Sequence, residues 1–169
     1  MILKVGVSGS NFKTLKSGQY NGKCIDVIYP IIKQYKDDKP KQTVMFVFDT
    51  DHQRELADGT KGEGNDRLWS KNLSLTMAPK GHLKPFLEDW LDKKLGNGDE
   101  VTLESFVGMK AELLVKEVAK RNGDGTYAQI VGISPSDKDV ETDPDYERQD
   151  PSKYSDVVVR EDKEDAPPF

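Results

Sequence analysis

Apolar positions run almost unbroken from Gly22 to Tyr35, where Cys24, Ile25, Val27, Ile28, Tyr29, Ile31 and Ile32 supply the β-branched and aromatic side chains that favour a strand. Pro30 cannot donate to a ladder, so a bulge or an edge position is expected there. Asp37-Asp38-Lys39-Pro40 reads as a turn into a second strand at Thr43 to Phe48, where Val44, Phe46 and Phe48 alternate with Met45 and Val47. The polar stretch from Asp51 to Asp66, with Gly59, Gly62 and Gly64, reads as a long mobile loop. A third strand is expected at Arg67 to Met77, with Trp69, Lys71, Leu73 and Leu75 on one face and Leu68, Ser70, Asn72, Ser74 and Thr76 on the other.

The period then changes. Leu83, Phe86, Leu87, Trp90 and Leu91 recur at helical spacing and predict an amphipathic helix of about three turns, with Pro85 in its first turn and Gly96 as its stop. Ala111 to Lys120 and Tyr127 to Ile133 read as two further strands, joined by Asn122-Gly123-Asp124-Gly125, whose residues tolerate the positive φ of a tight hairpin. The sequence therefore predicts an all-β fold with one helix between strands three and four. Phe46, Phe86, Trp90 and Phe106 are expected in its core.

Charge divides the chain. Residues 137–169 hold twelve acidic and five basic side chains, a net of −7, and are rich in proline, while the body nets +2 within a total of −5. Such a segment buries too little to offset the entropy of ordering, and a disordered tail is expected. Val157-Val158-Val159 is the one stretch in it that could extend or dock on the body. The expected organisation is a flexible arm over residues 1–17, a barrel domain over 18–136 and the acidic tail over 137–169. No apolar run approaches the ~18 residues of a membrane span, and Met1-Ile2-Leu3-Lys4 lacks a signal-peptide layout, so a cytoplasmic protein is expected. A lone Cys24 excludes an intrachain disulfide, and with only His52 and His82 beside it no metal or other cofactor is expected.

Strand, strand, strand, helix, strand, strand is the layout of the five-stranded OB barrel, whose open face and loops bind oligonucleotides. In Gly18-Gln19-Tyr20-Asn21-Gly22, Ser70-Lys71-Asn72-Leu73-Ser74-Leu75, Leu83 through Trp90, Leu103 through Gly108, and the hairpin ending Asn122 through Ala128, the chain resembles phage-encoded OB-fold single-stranded DNA-binding proteins. Glu164-Asp165-Ala166-Pro167-Pro168-Phe169 is similar to the acidic tip of bacterial single-stranded DNA-binding proteins, with Ala166 and Pro167 where that tip has Asp and Ile. The resemblance implies single-stranded DNA binding in replication or recombination. It also implies that Asp165, Pro167, Pro168 and Phe169 engage partner proteins.

Single-strand binding needs aromatic faces for the bases and cations for the backbone. Arg67, Trp69 and Lys71 form a basic, aromatic, basic stripe of one strand parity, and Trp69 either stacks on a base or joins the core. Tyr29, Lys33, Tyr35 and Lys36 form a second cluster, and Lys116, Lys120, Arg121 and Tyr127 line the last hairpin. Asp49-Thr50-Asp51-His52 has no second acidic cluster to make a nuclease site, and Gly6-Val7-Ser8-Gly9-Ser10 lacks both nucleophile-elbow and phosphate-loop spacing. Asn122 to Gly125 lacks the glutamate of a calcium loop. No enzymatic activity is expected. Homo-oligomerisation stays open, and the alternative function is a protein-interaction module or an acidic DNA mimic, against which the mildly basic body argues.

Overall fold

The computed structural model describes residues 12–34 and 39–156. Its long strands are β1 (Gly18–Lys33), β2 (Lys41–Glu55), β3 (Lys61–Trp69), β5 (Lys110–Ala119) and β6 (Thr126–Pro135), with a two-residue β4 (Leu73–Ser74) and one helix, α1 (Leu83–Leu91), between β4 and β5. The sheet is antiparallel, in the order β3-β2-β1-β5-β6, with β4 added to β2. Its two ends, β3 and β6, come together without a ladder, so the sheet curls into a partly open barrel. Among the described residues the fold is thus the expected one, all-β with a single α-helix.

The barrel closes over an aromatic core. Phe46 and Phe48 of β2 point inward against Trp90 of α1, at 5.7 and 5.3 Å between ring centroids, and Phe86 and Phe106 complete the cluster. Trp90 is buried yet satisfied, since its indole N–H donates to the Lys110 carbonyl at 2.8 Å. Gly22 lies where β1 crosses β5 so closely that a Cβ would stand 2.8 Å from a Leu113 methyl carbon. No larger residue fits there without displacement.

One expected irregularity is met and three boundaries differ from expectation. The bulge anticipated at Pro30 is present as a register shift between Ile28 and Ile31, with a cis Tyr29–Pro30 bond. The stretch read as a mobile loop is instead a ribbon: β2 runs to Glu55, β3 starts at Lys61, and Asp58 and Gly59 make the turn between them. The helix stops at Asp92, which takes the left-handed conformation at φ 52°, and not at Gly96. The arm is packed from Phe12 onward: Phe12 bridges Leu56, the Lys13 N–H donates to the Glu55 carbonyl at 2.8 Å, and Leu15 enters the core.

The largest departure is at the C-terminal side. Residues 139–156 form a strap along the outer face of β1 and β2. Val140 is buried, Asp139 pairs with Lys23 at 2.9 Å, and the one-turn 3₁₀ helix Pro151–Tyr154 lays Tyr154 against Ile28, Ile31, Met45 and Val47. Beyond it, the Asp156 N–H donates to the Ile32 carbonyl at 2.8 Å. The expectation of a disordered tail from residue 137 is therefore corrected as far as residue 156. Val157-Val158-Val159 lies outside the described residues.

Candidate nucleic-acid interface

Two buried carboxylates of the barrel hold the strap. Asp26, in a register shift of β1, is fully buried and accepts from the Tyr146 hydroxyl at 2.6 Å, from the Gln149 N–H at 2.8 Å and from Arg148 Nε. Asp49 of β2 accepts from Arg67 Nε at 2.8 Å and from the Asp143 N–H at 2.9 Å. Arg67 also reaches Asp143 at 3.4 Å and lies 4.6 Å from the centroid of the Tyr146 ring. Burial disfavours its charge, but Asp49 and Asp143 more than offset that, so its pKa stands above the usual value. Burial first, and then the bond to Asp26, push the Tyr146 hydroxyl up.

Arg67 is thereby removed from the set of free cations. The expected common face of Trp69, Lys71, Leu73 and Leu75 does not survive either, because the strand breaks at Ser70. Ser70 Oγ accepts the Phe46 N–H at 2.9 Å and donates to the Lys71 carbonyl, and after this kink Lys71 and Asn72 are both exposed, which breaks the alternation before Leu73. Leu73 turns inward and is buried, while Trp69 stays outward and is 45% exposed. Of the two places considered for Trp69, the structure gives the surface.

Across the gap between β3 and β6, Tyr127 is 44% exposed. Trp69 and Tyr127 line one open hollow of about 440 Å³, flanked by Phe12 and Lys13 of the N-terminal segment. Arg54 lies over the Phe12 ring at 5.0 Å. Lys71 lines the adjoining hollow, and Lys116, Lys120 and Arg121 are exposed on β5 and its hairpin, with no ion pair among the described residues. Of the residues expected on the last hairpin, Tyr127 lines the Trp69 hollow and the three cations do not.

The second sequence cluster does not join them. Tyr29 packs against the core with its hydroxyl toward Glu104, and Lys33 pairs with Asp156 at 3.5 Å at the end of the strap. Tyr35 and Lys36 lie outside the described residues, as do Asp165, Pro167, Pro168 and Phe169. Phe12 and Lys13 were missed because only their bonds to the Glu55–Leu56 segment place them at the gap. The Asp49-Thr50-Asp51-His52 motif is used structurally: Asp49 holds Arg67, Asp51 accepts from Asn21, and His52 bonds Asp66 at 2.8 Å. Among the described residues no group of three or more His, Cys, Asp or Glu side chains is placed to hold a metal ion, and no helix is long and apolar enough to cross a membrane.

Fold and site together define a partly open β-barrel with an aromatic hollow between its end strands. Comparison with protein-family models, curated proteins and solved structures gives no match to this chain.

Proposed function

We propose that this protein binds single-stranded DNA with little sequence preference, along the gap between β3 and β6, and performs no chemistry on it. The observation that carries this reading is the pairing of Trp69 and Tyr127, half-exposed rings facing one hollow from opposite strands, with Lys13 and Lys71 beside them. A duplex keeps its bases stacked on one another and offers such rings nothing. The strand order and the place of the helix support an OB barrel, in which strands two and three and the loops beside them meet oligonucleotides. Here the strap occupies the outer face of β1 and β2, which leaves the β3 edge and the β5–β6 hairpin to the ligand. In this reading the protein serves replication or recombination, in the cytoplasm of a phage-infected host, and residues 165–169 recruit partner proteins.

The test uses the only two tryptophans, since Trp69 is exposed and Trp90 is 1% exposed. Adding oligo-dT should quench the Trp69 fluorescence, and duplex of equal length should quench it far less. Trp69→Phe should abolish the signal. Equal quenching by duplex, or none by either, removes the assignment. A protein-interaction module is the second reading, favoured by Leu114 and Val131, 45% and 50% exposed on the outer face of β5 and β6. It gains if oligo-dT leaves Trp69 unquenched.

A further inference from the structure

Beyond Trp69 the same gap opens into a second hollow of about 390 Å³, between the Ser70–Leu73 kink, the start of α1 and β6. Its apolar lining includes Phe86, Ile130 and Val131, and its polar groups are Asn72, His82 and Lys71. Asn72 Oδ1 faces the Thr43 hydroxyl at 3.4 Å, while its amide N–H groups have no partner among the described residues. His82 stands at the head of α1, yet its imidazole makes no capping bond and no other hydrogen bond among the described residues. Both side chains are exposed, and the bond from the Thr43 hydroxyl to Asn72 Oδ1 is the one contact through which either serves the fold.

We infer that this second hollow receives one unstacked nucleobase of the bound strand. The inference rests on the single-strand reading of the neighbouring hollow and deepens it. Continuity is the first argument: Ser70 and Lys71 directly follow Trp69, and Ile130 follows Tyr127 by three residues, about 10 Å along the strand. A strand stacked at the first hollow and continuing along the gap passes over the second. Chemistry is the next: a base is a flat apolar ring with hydrogen-bonding edges, and the hollow offers an apolar lining with an unpaired amide and an imidazole. Lys71, between the two hollows, is placed for the intervening phosphate. At about 390 Å³ the open hollow has room for a base and its sugar.

Two readouts test this on the full chain. A short oligo-dT carrying one 5-bromouracil at successive positions should photocrosslink, at one position, to the peptide containing His82 and Phe86. The Asn72→Ala, His82→Ala double variant alters two exposed side chains, and the Thr43 hydroxyl that loses Asn72 keeps the Ile31 carbonyl at 3.0 Å. It should lose that adduct and bind oligo-dT about three- to tenfold more weakly, the scale of one or two hydrogen bonds. Trp69→Ala should weaken binding about fivefold to 150-fold, the scale of one stacked base. If the double variant binds like wild type and adducts form only at Trp69 or Tyr127, the hollow takes no base and the inference is wrong, while single-strand binding stands. If Trp69→Ala changes nothing, the single-strand reading itself fails.

Discussion

Trp69 and Arg67 share a strand face and differ in everything that matters for substitution. Trp69 is half-exposed and supports nothing above it, so Trp69→Ala should leave the folding stability within about 0.5 kcal/mol of wild type while DNA affinity falls by about 1 to 3 kcal/mol. Arg67→Ala should do the reverse. It leaves Asp49, 3% exposed, with only the Asp143 N–H, and the cost should be about 2 to 4 kcal/mol, between that of one charged hydrogen bond and that of a broken buried pair. Denaturant unfolding and fluorescence titration of the two variants separate these outcomes. Cys24 offers a third probe at this scale, since burial pushes its thiol up to about 12 and keeps it protonated at neutral pH. Alkylation should be negligible in native protein and rapid in urea. Prompt native labelling at pH 8 would contradict its burial.

Among the elements, the strap decides how the chain may be shortened. Truncation after Asp156 removes no described contact and should leave the melting temperature unchanged. Truncation after Ser136 uncovers Ile28, Ile31, Met45 and Val47 and strips the Tyr146 and Arg148 donors from the buried Asp26, so the barrel should be severely destabilised or fail to fold. Equal melting temperatures for the two truncations would show the strap to be dispensable. The strap should also loosen in acid. Its bond to Lys23 holds the Asp139 carboxyl below the usual 3.8, and the Ser152 N–H does the same for Asp150. A carboxylate with a lowered folded pKa contributes fully above its unfolded value and loses that contribution as pH falls through the folded one. Protection of residues 139–156 in hydrogen exchange should therefore hold at neutral pH and decline below about pH 4, before the β5–β6 ladder opens.

At the scale of the whole molecule, charge is sorted by face. Eight acidic and three basic residues fall in 137–156, a net of −5, and the strap carries most of them over β1 and β2, while Lys71 lines the gap between β3 and β6 and Lys116, Lys120 and Arg121 are exposed on the β5–β6 hairpin. A single strand should therefore follow the gap and avoid the strap. Each phosphate neutralised contributes about −0.7 to the slope of log K against log salt, so contacts by Lys71, Lys116, Lys120 and Arg121 imply a slope near about −3. Oligo-dT titrations at several salt concentrations measure it, and a slope near zero would move the protein to the interaction-module reading. Residues 157–169 net only −2 in side-chain charge, so deleting them should change DNA affinity little.

The number of long strands, the single helix and the aromatic core were legible in the sequence, because periods of two and of 3.6 report directly which side chains must leave water. The ribbon at Gln53–Asn65 was not, since it projects past the core and has no apolar face to alternate. Nor was the strap, because composition registers the charge of residues 137–156 and not the carboxylates that receive them. Asp26 and Tyr146 are 120 residues apart, and neither has meaning without the other. For the site, the sequence alone could name Trp69, Lys71 and Tyr127 as aromatic and basic candidates. Only the tertiary structure decided that the kink at Ser70 leaves Trp69 outward, that Asp49 and the strap consume Arg67, and that barrel curvature sets Tyr127 across from Trp69. Local pattern determines which residues are buried, whereas the meeting of distant surface groups depends on how the sheet closes.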